Sequence, residues 1–501
     1  MHDREASWGK AEHQAFDVLV IGGGINGTCL FDHLNRQGYK VLLVDRNDFA
    51  SGTSQASGMM VWGGLLYLRN LDLPTVFRLS CDRDAMIREL KDHISPKLYR
   101  YIPSIRGNLN PELVRAALSF YWIMSLFRRK PPRCEKSFEE TCLLKPGVHR
   151  GSFLYEEAVL NTSDCRFTFD WLTFTPSTHS VALNYCSATG EYSQSDQGWH
   201  LALKDTLGCR ETSIRAKLIV NCAGVWTDQV NDQFGIETPF KHVLSKGVYI
   251  GVKRPAGHNS LMIFEMGDHG DVLTFVPWGP ISLWGPTETF PKDIHDGMTV
   301  AAEDIRFLLE RANGHLKPGF DKSQIVSMRC GIRPLAVKKD FTQAHYPLDL
   351  SRRQHVVPHN DLPWVSSYGG KITGCREMAN KISRVVARKV RPAYRPDGLR
   401  EEDPQCSVEW ISWPGIEEKV PSPEWCARHE LCCTLEDYLR RRTNIAQWVP
   451  RQGLGRNNEH LELLTDAAAQ ISGHTQARAL TMVQQYKTDV EEGFDRVLER
   501  V

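Results

Sequence analysis

Apolar residues run almost unbroken from Val18 to Ile21 and again from Val41 to Val44, with a glycine turn and a helical stretch between them. Continuous apolar runs of this length predict strands buried on both faces, as in a parallel sheet. A third run, Lys217 to Asn221, predicts another parallel strand of the same sheet. Short strands around Val181–Tyr185 and His200–Leu203 precede it and are expected to form an antiparallel meander. Between residues 241 and 364 the pattern changes. Gly247–Val252, Leu261–Glu265, Val272–Val276 and Ile281–Trp284 read as strands of an antiparallel sheet, backed by a helix over Ala301–Asn313. A second helix is predicted over Glu377–Val390, and residues from about 396 onward read as helical, with the run Arg440-Arg441-Arg442 expected in solvent or paired with Glu436 and Asp437.

The turn between the first two strands narrows the reading. Gly22, Gly24 and Gly27 follow the first strand and open a helix, and Asp45 ends the second strand. This is the dinucleotide-binding fingerprint: Gly22 allows a tight turn, Gly24 admits a pyrophosphate to the backbone amides, and Gly27 lets the helix pack on the strand. The helix N-terminus adds partial positive charge, and Asp45 can accept hydrogen bonds from ribose hydroxyls. A small-residue loop, Ser51-Gly52-Thr53-Ser54, can wrap phosphates, and Ala223-Gly224 ends the third strand in a second glycine turn. A third, Gly369-Gly370-Lys371-Ile372-Thr373, precedes the helix at Glu377. Three separated glycine turns suit a long, buried FAD better than NAD.

Composition mostly excludes. The chain has 501 residues, 61 basic and 60 acidic, so the near-zero net charge speaks against a nucleic-acid partner. Its 14 cysteines lack metal-ligand spacing and read as reduced thiols. Met1 to Phe16 is polar, without the apolar core of an export signal, and is expected to be a short disordered extension of a cytoplasmic protein. Ala116–Phe127 is apolar but too short to span a bilayer. Flanked by Arg115 and Arg128-Arg129-Lys130, it reads as a core helix or as a peripheral contact with the inner face of a membrane.

Motifs spread along the chain resemble the FAD-dependent glycerol-3-phosphate dehydrogenases, which share the D-amino-acid-oxidase fold: VIGGGINGT (20–28), DFASGTSQASG (48–58), GGLLYL (63–68), VNCAGVWTD (220–228), LSKG (244–247), WGPTE (284–288), CGIRPL (330–335), YGGKITG (368–374) and TLEDYLRRRTNIA (434–446). The resemblance implies an α/β architecture. A doubly wound FAD domain would be assembled from residues 17–110, 150–240 and 365–395, with a mixed-sheet substrate domain at 241–364. A helical insertion at 111–149 and a C-terminal helical domain at 396–501 complete it. FAD would be non-covalently bound by Gly22, Gly24, Asn26, Gly27, Asp45, Ser51, Gly52, Thr53, Ser54, Ala223, Gly224, Gly370, Lys371, Ile372 and Thr373. The reaction implied is oxidation of the secondary alcohol of a small phosphorylated substrate, with quinone or oxygen as the final acceptor, in a homodimer.

Arg333 in the CGIRPL motif and Arg352 in Ser351-Arg352-Arg353 match, or fall near, family arginines that meet the substrate, and Lys371 matches a lysine near the flavin; register leaves Arg353 possible for the second arginine. The family pattern S-K-L-I-H-G-G-L-R-Y-L-E, however, is Gly58-Met59-Met60-Val61-Trp62-Gly63-Gly64-Leu65-Leu66-Tyr67-Leu68-Arg69 here. A lysine has become Met59, a histidine Trp62 and an arginine Leu66, beside the retained Tyr67, and the family K-G-S-H ends in Tyr249. Losses confined to the substrate side imply a working flavoenzyme whose substrate is larger or less polar than glycerol-3-phosphate. Candidate bases are Tyr249, with a lowered pKa, and neutral Lys371; His355 is the weaker third. An amine oxidase of the same fold, or a silent flavin-binding protein, is the alternative.

Overall fold

The computed structural model describes residues 4–105, 107, 110–135, 139–174, 179–196, 198–266, 272–342, 346–347, 350, 352–394 and 407–501, with the side chains of Leu66, Arg69, Asn70 and Glu139 left aside. Two large sheets organise it. The first runs in the order His355–Pro358, Trp364–Tyr368, Glu211–Asn221, Ala15–Ile21, Val41–Val44, Val181–Leu183. Four of the pairings along this order are parallel, and the pairing of His355–Pro358 with Trp364–Tyr368 is antiparallel. Val18, Leu19, Val20 and Val41–Val44 are buried on both faces, which is why the sequence shows continuous rather than alternating apolar runs. Helix Ile25–Asn35 covers this sheet and packs against helix Cys375–Lys389.

Val181–Leu183 corrects an expectation. It is a parallel neighbour of Val41–Val44, not part of the meander, which is built from Cys186–Ser193, Gly198–Asp205 and Glu211–Asn221. A three-residue apolar run carries no mark of the direction of its partner. The N-terminal extension is also ordered. Arg4–Ala11 is a helix whose Trp8 is buried and whose Arg4 pairs with Asp205 at 2.7 Å.

The second sheet runs Ile325–Lys338, Phe240–Lys253, Ile281–Gly285, Val272–Trp278, Leu261–Glu265, Ile94–Ile102, Ser152–Leu160, Met60–Val61. Helix Ala302–His315 backs it: Ile305 and Leu308 pack with Val248, Ile250 and Trp284, and the Trp284 indole donates to the Leu308 carbonyl at 2.8 Å. Ile94–Ile102 and Ser152–Leu160, expected in the FAD-binding pieces, therefore extend the second sheet, whereas His355–Pro358, expected in the substrate piece, edges the first sheet. Arg133–Glu135, within the expected insertion, also pairs with Ser152–Leu160.

Helix Pro111–Met124 buries Val114, Leu118 and Tyr121 and turns Leu113, Phe120 and Ile123 outward, with Leu126 and Phe127 exposed just beyond. No helix among the described residues is long and apolar enough to cross a membrane.

The C-terminal arginine run, expected to be solvated or paired locally, is buried. Arg441 keeps the expected partners Glu436 and Asp437, yet Arg441 and Arg442 also close on Asp48, in the loop after the second strand of the first sheet. Asp48 Oδ2 accepts from Arg441 Nε at 2.7 Å and Arg442 Nη1 at 2.8 Å, and Oδ1 from Arg442 Nη2 at 2.8 Å. Burial pushes the Asp48 carboxyl up, but the two guanidiniums outweigh it and hold it below the usual carboxylate range.

Candidate active site

One cavity of about 1400 Å³ lies between the two sheets, and nearly every residue singled out from the sequence lines it. At one end are the glycine turns. Gly22 has φ of +105°, and a Cβ there would strike the carbonyl of Cys222, so the first and third strands close over the turn as glycine alone permits. Gly27 lies just outside the cavity, and a Cβ on it would strike the Gly22 carbonyl oxygen, in keeping with close helix–strand packing. The Ile25 amide is taken by Ser54 Oγ at 2.9 Å, which ties the loop Ser51–Ser54 to the helix start. Thr53 Oγ1 donates to the Ile332 carbonyl at 2.6 Å, fixing the other side of the loop to the second sheet. Asn26 Nδ2 donates to the Gly369 carbonyl at 3.1 Å, while its Oδ1 is buried with no hydrogen-bond partner among the described residues.

Asp45 sits at the rim of this end. Its Oδ2 accepts from the Gly23 amide at 2.7 Å and its Oδ1 from the Asn47 amide at 2.9 Å. Burial nevertheless raises its pKa to about 6, against the two amides. A half-buried carboxylate, glycine-lined walls at a helix start and the hydroxyls of the Ser51–Ser54 loop form a donor and acceptor set that fits an FAD.

The other end holds the substrate-side candidates. Arg333 lies on Ile325–Lys338 opposite Ser245, and its guanidinium folds back over Gly247, where any Cβ would collide with it. Arg333 Nη1 donates to Ser245 Oγ at 3.2 Å and lies 3.1 Å from Glu288 Oε2. Arg352 Nη2 reaches the same oxygen at 3.2 Å, whereas Arg353 pairs with Asp72 at 3.1 Å. Burial lowers the Arg352 pKa.

Lys371 Nζ donates to the Tyr67 hydroxyl and sits 4.0 Å from the centroid of that ring. Burial lowers its pKa to about 7, with Glu377 opposing. Tyr249 moves the other way. Burial raises its pKa, and the nearby charges of Arg333 and Arg329 do not offset this, so the lowered Tyr249 expected of a base is not what the site provides. Trp62 lines the cavity, but Met59 does not: its φ of +61° turns it into the core, and Met60 takes the wall. The side chain of Leu66 lies outside the described residues. His355 stacks on Phe240 at 4.2 Å in the first sheet, away from the cavity.

Two residues that sequence reasoning passed over belong here. Glu288 bridges the arginines, although WGPTE had been read only as a motif. His242, buried and held near pKa 4 by desolvation against Asp228, accepts the Gly369 amide at 3.1 Å and so fixes the third glycine turn.

The comparisons agree with this geometry. The chain is 26% identical over 391 residues to the aerobic glycerol-3-phosphate dehydrogenase of Staphylococcus aureus (strain USA300), covering 76% of this chain and 68% of that protein. Its fold resembles the glycerol-3-phosphate dehydrogenase from Bacillus halodurans complexed with FAD, with a TM-score of 0.71 at 20% identity over 98% of this chain and 97% of that one. It also resembles glycine oxidase from Geobacillus kaustophilus, with a TM-score of 0.54 at 17% identity over 75% and 95% of the two chains. The family described as FAD dependent oxidoreductase (DAO) matches residues 17–376, and the chain belongs to that family.

Proposed function

We propose that this chain oxidises the secondary alcohol of a small anionic substrate, with the two electrons and hydrogen passing to a non-covalently held FAD and on to quinone or oxygen. The observation that carries this reading is that Arg333 and Arg352 converge in the same cavity as Lys371, Asp45 and the glycine turns. Asp45 would hold the ribose, the turn at Gly24 and the Ser51–Ser54 loop the pyrophosphate, and the Gly370–Thr373 turn the flavin end. FAD supplies the hydride acceptor.

The protein's own groups do the rest. The paired guanidiniums offer planar N–H forks to an anionic end, which orients the alcohol carbon. Lys371, near pKa 7, can be neutral at working pH and take the hydroxyl proton, and Tyr67, hydrogen-bonded to it, holds its Nζ in place. Trp62, Met60 and Tyr249 give the pocket an apolar wall that excludes water. Helix Pro111–Met124, with its outward Phe120 and Ile123, would rest on a membrane surface.

Anaerobic bleaching of the flavin by glycerol-3-phosphate and by larger phosphorylated and carboxylated alcohols tests the reading. Bleaching by one or more of them supports it. Bleaching by amines alone would move the protein to the amine-oxidising branch, for which the arginine pair would hold a carboxylate equally well.

A further inference from the structure

Arg333 and Arg352 do not meet the cavity as two unopposed cations. Both reach Glu288 Oε2, at 3.1 and 3.2 Å, and the other carboxylate oxygen, Oε1, accepts from the hydroxyl of fully buried Ser245. Ser245 accepts in turn from Arg333 Nη1 at 3.2 Å. The carboxylate is thus seated by three strand-borne or strand-flanking groups, with its side chain only 11% exposed. Neighbouring cations are matched elsewhere: Lys246 pairs with Asp304 at 2.8 Å and Arg353 with Asp72 at 3.1 Å. Among the described residues, two guanidiniums and one carboxylate leave a surplus of one positive charge at this seat.

That surplus distinguishes ligands by charge. A carboxylate brings one negative charge and leaves the group neutral. A phosphate dianion brings two and must also approach the Glu288 carboxylate. With unit charges about 6 Å apart and an effective dielectric of about 40 at a partly open site, each unit of ligand charge facing Glu288 changes affinity on the order of ten-fold. We propose that Glu288 is a specificity-determining residue: it offsets one guanidinium and so cuts, on the order of ten-fold, the advantage that the arginine pair would otherwise give a phosphate dianion over a carboxylate. This rests on the reading that the arginine pair seats the substrate anion.

The test uses FAD-loaded wild-type protein with the E288Q and E288D variants. Propionate and methyl phosphate are titrated at pH 8, well above the second phosphate pKa of about 6, and binding is read from the flavin absorption band. In E288Q methyl phosphate should tighten on the order of 100-fold and propionate on the order of ten-fold, so the ratio of the two affinities should rise on the order of ten-fold above the wild-type ratio. E288D, which keeps the charge, should retain the wild-type ratio. Equal changes for both ligands in E288Q, or no spectral response to either anion, would overturn the proposal. The alcohol reading fails separately: the shifted ratio in a protein bleached by amines and by no alcohol would remove that reading and leave the role of Glu288 standing.

Discussion

Asp48→Asn keeps the size of the side chain and removes the charge on which two C-terminal arginines close. Asp48, Arg441 and Arg442 are essentially solvent-free, so water cannot replace the lost partner. Arg441 retains Asp437 at 2.6 Å, but Arg442 is left with backbone carbonyls, among them Glu430 at 2.9 Å. Removing one partner of a buried ion pair costs about 3–5 kcal/mol, because the remaining charge stays buried without compensation. The loss falls at a joint, since Asp48 begins the loop whose Ser51–Ser54 lines the cavity, and the same C-terminal run reaches that loop again through Arg440, which donates to the Gln55 carbonyl at 2.8 Å. Flavin retention should therefore weaken along with stability. In a urea titration of the holoprotein, flavin fluorescence reports release and far-UV circular dichroism reports unfolding; both midpoints should fall in the variant, with release leading. The sign with pH follows from the depressed carboxyl: its contribution is complete above the unfolded-state pKa of about 4 and lost as pH falls through the lower folded value, so the gap between wild type and variant should close below about pH 4. Superimposable curves at pH 7.5 would refute the reasoning.

Other expectations follow from the two ends of the cavity and from the surface. Asp45, near pKa 6, must ionise to accept ribose hydroxyls, so FAD should bind more weakly at pH 5 than at pH 7.5; Asp45→Asn should flatten that dependence and weaken binding about 10- to 100-fold, the worth of hydrogen bonds to a charged group, as read by flavin fluorescence titration. Lys371 is depressed to about 7, so its neutral form grows as pH rises through that value and the bleaching rate with substrate should rise in step; Lys371→Arg, cationic throughout, should lose the limb and slow bleaching about 10²- to 10⁴-fold, and a profile unchanged in the variant would exclude Lys371 as base. Phe120→Ser with Phe127→Ser should reduce sedimentation with vesicles containing anionic phospholipid while leaving bleaching unaltered; equal sedimentation of both proteins would count against a membrane-facing helix.

The legible parts of the site were those whose chemistry is written in local backbone geometry. Gly22, Gly27 and Asp45 declare a turn, a close packing and an acid within a short stretch, and all three stand where that logic requires. Glu288 was not legible, because its role exists only once strands distant in sequence set Ser245, Arg333 and Arg352 around it. Arg440-Arg441-Arg442 misled for a related reason: consecutive arginines are expected in solvent unless paired, and the pairing carboxylate of Asp48 is 393 residues from Arg441. Met59 and Met60 exchanged sides because a single left-handed residue breaks the alternation on which strand reading depends. Tyr249 lines the cavity, but the direction of its pKa depends on how completely the site excludes water, a property of packing that composition does not carry.

The contact between Asn26 and Gly369 spans 343 residues. It joins the first glycine turn to the last, so on the ribosome the early turn emerges long before its counterpart exists. The strand Trp364–Tyr368 that carries the far turn must also find its place beside Glu211–Asn221 in the first sheet. Pairings of such separation bear the entropy of closing very long loops and form slowly. Cofactor capture is accordingly a late event in the life of a newly made chain. Until then the Glu211–Asn221 strand lacks its Trp364–Tyr368 neighbour, and that edge of the sheet stays open to unwanted pairing.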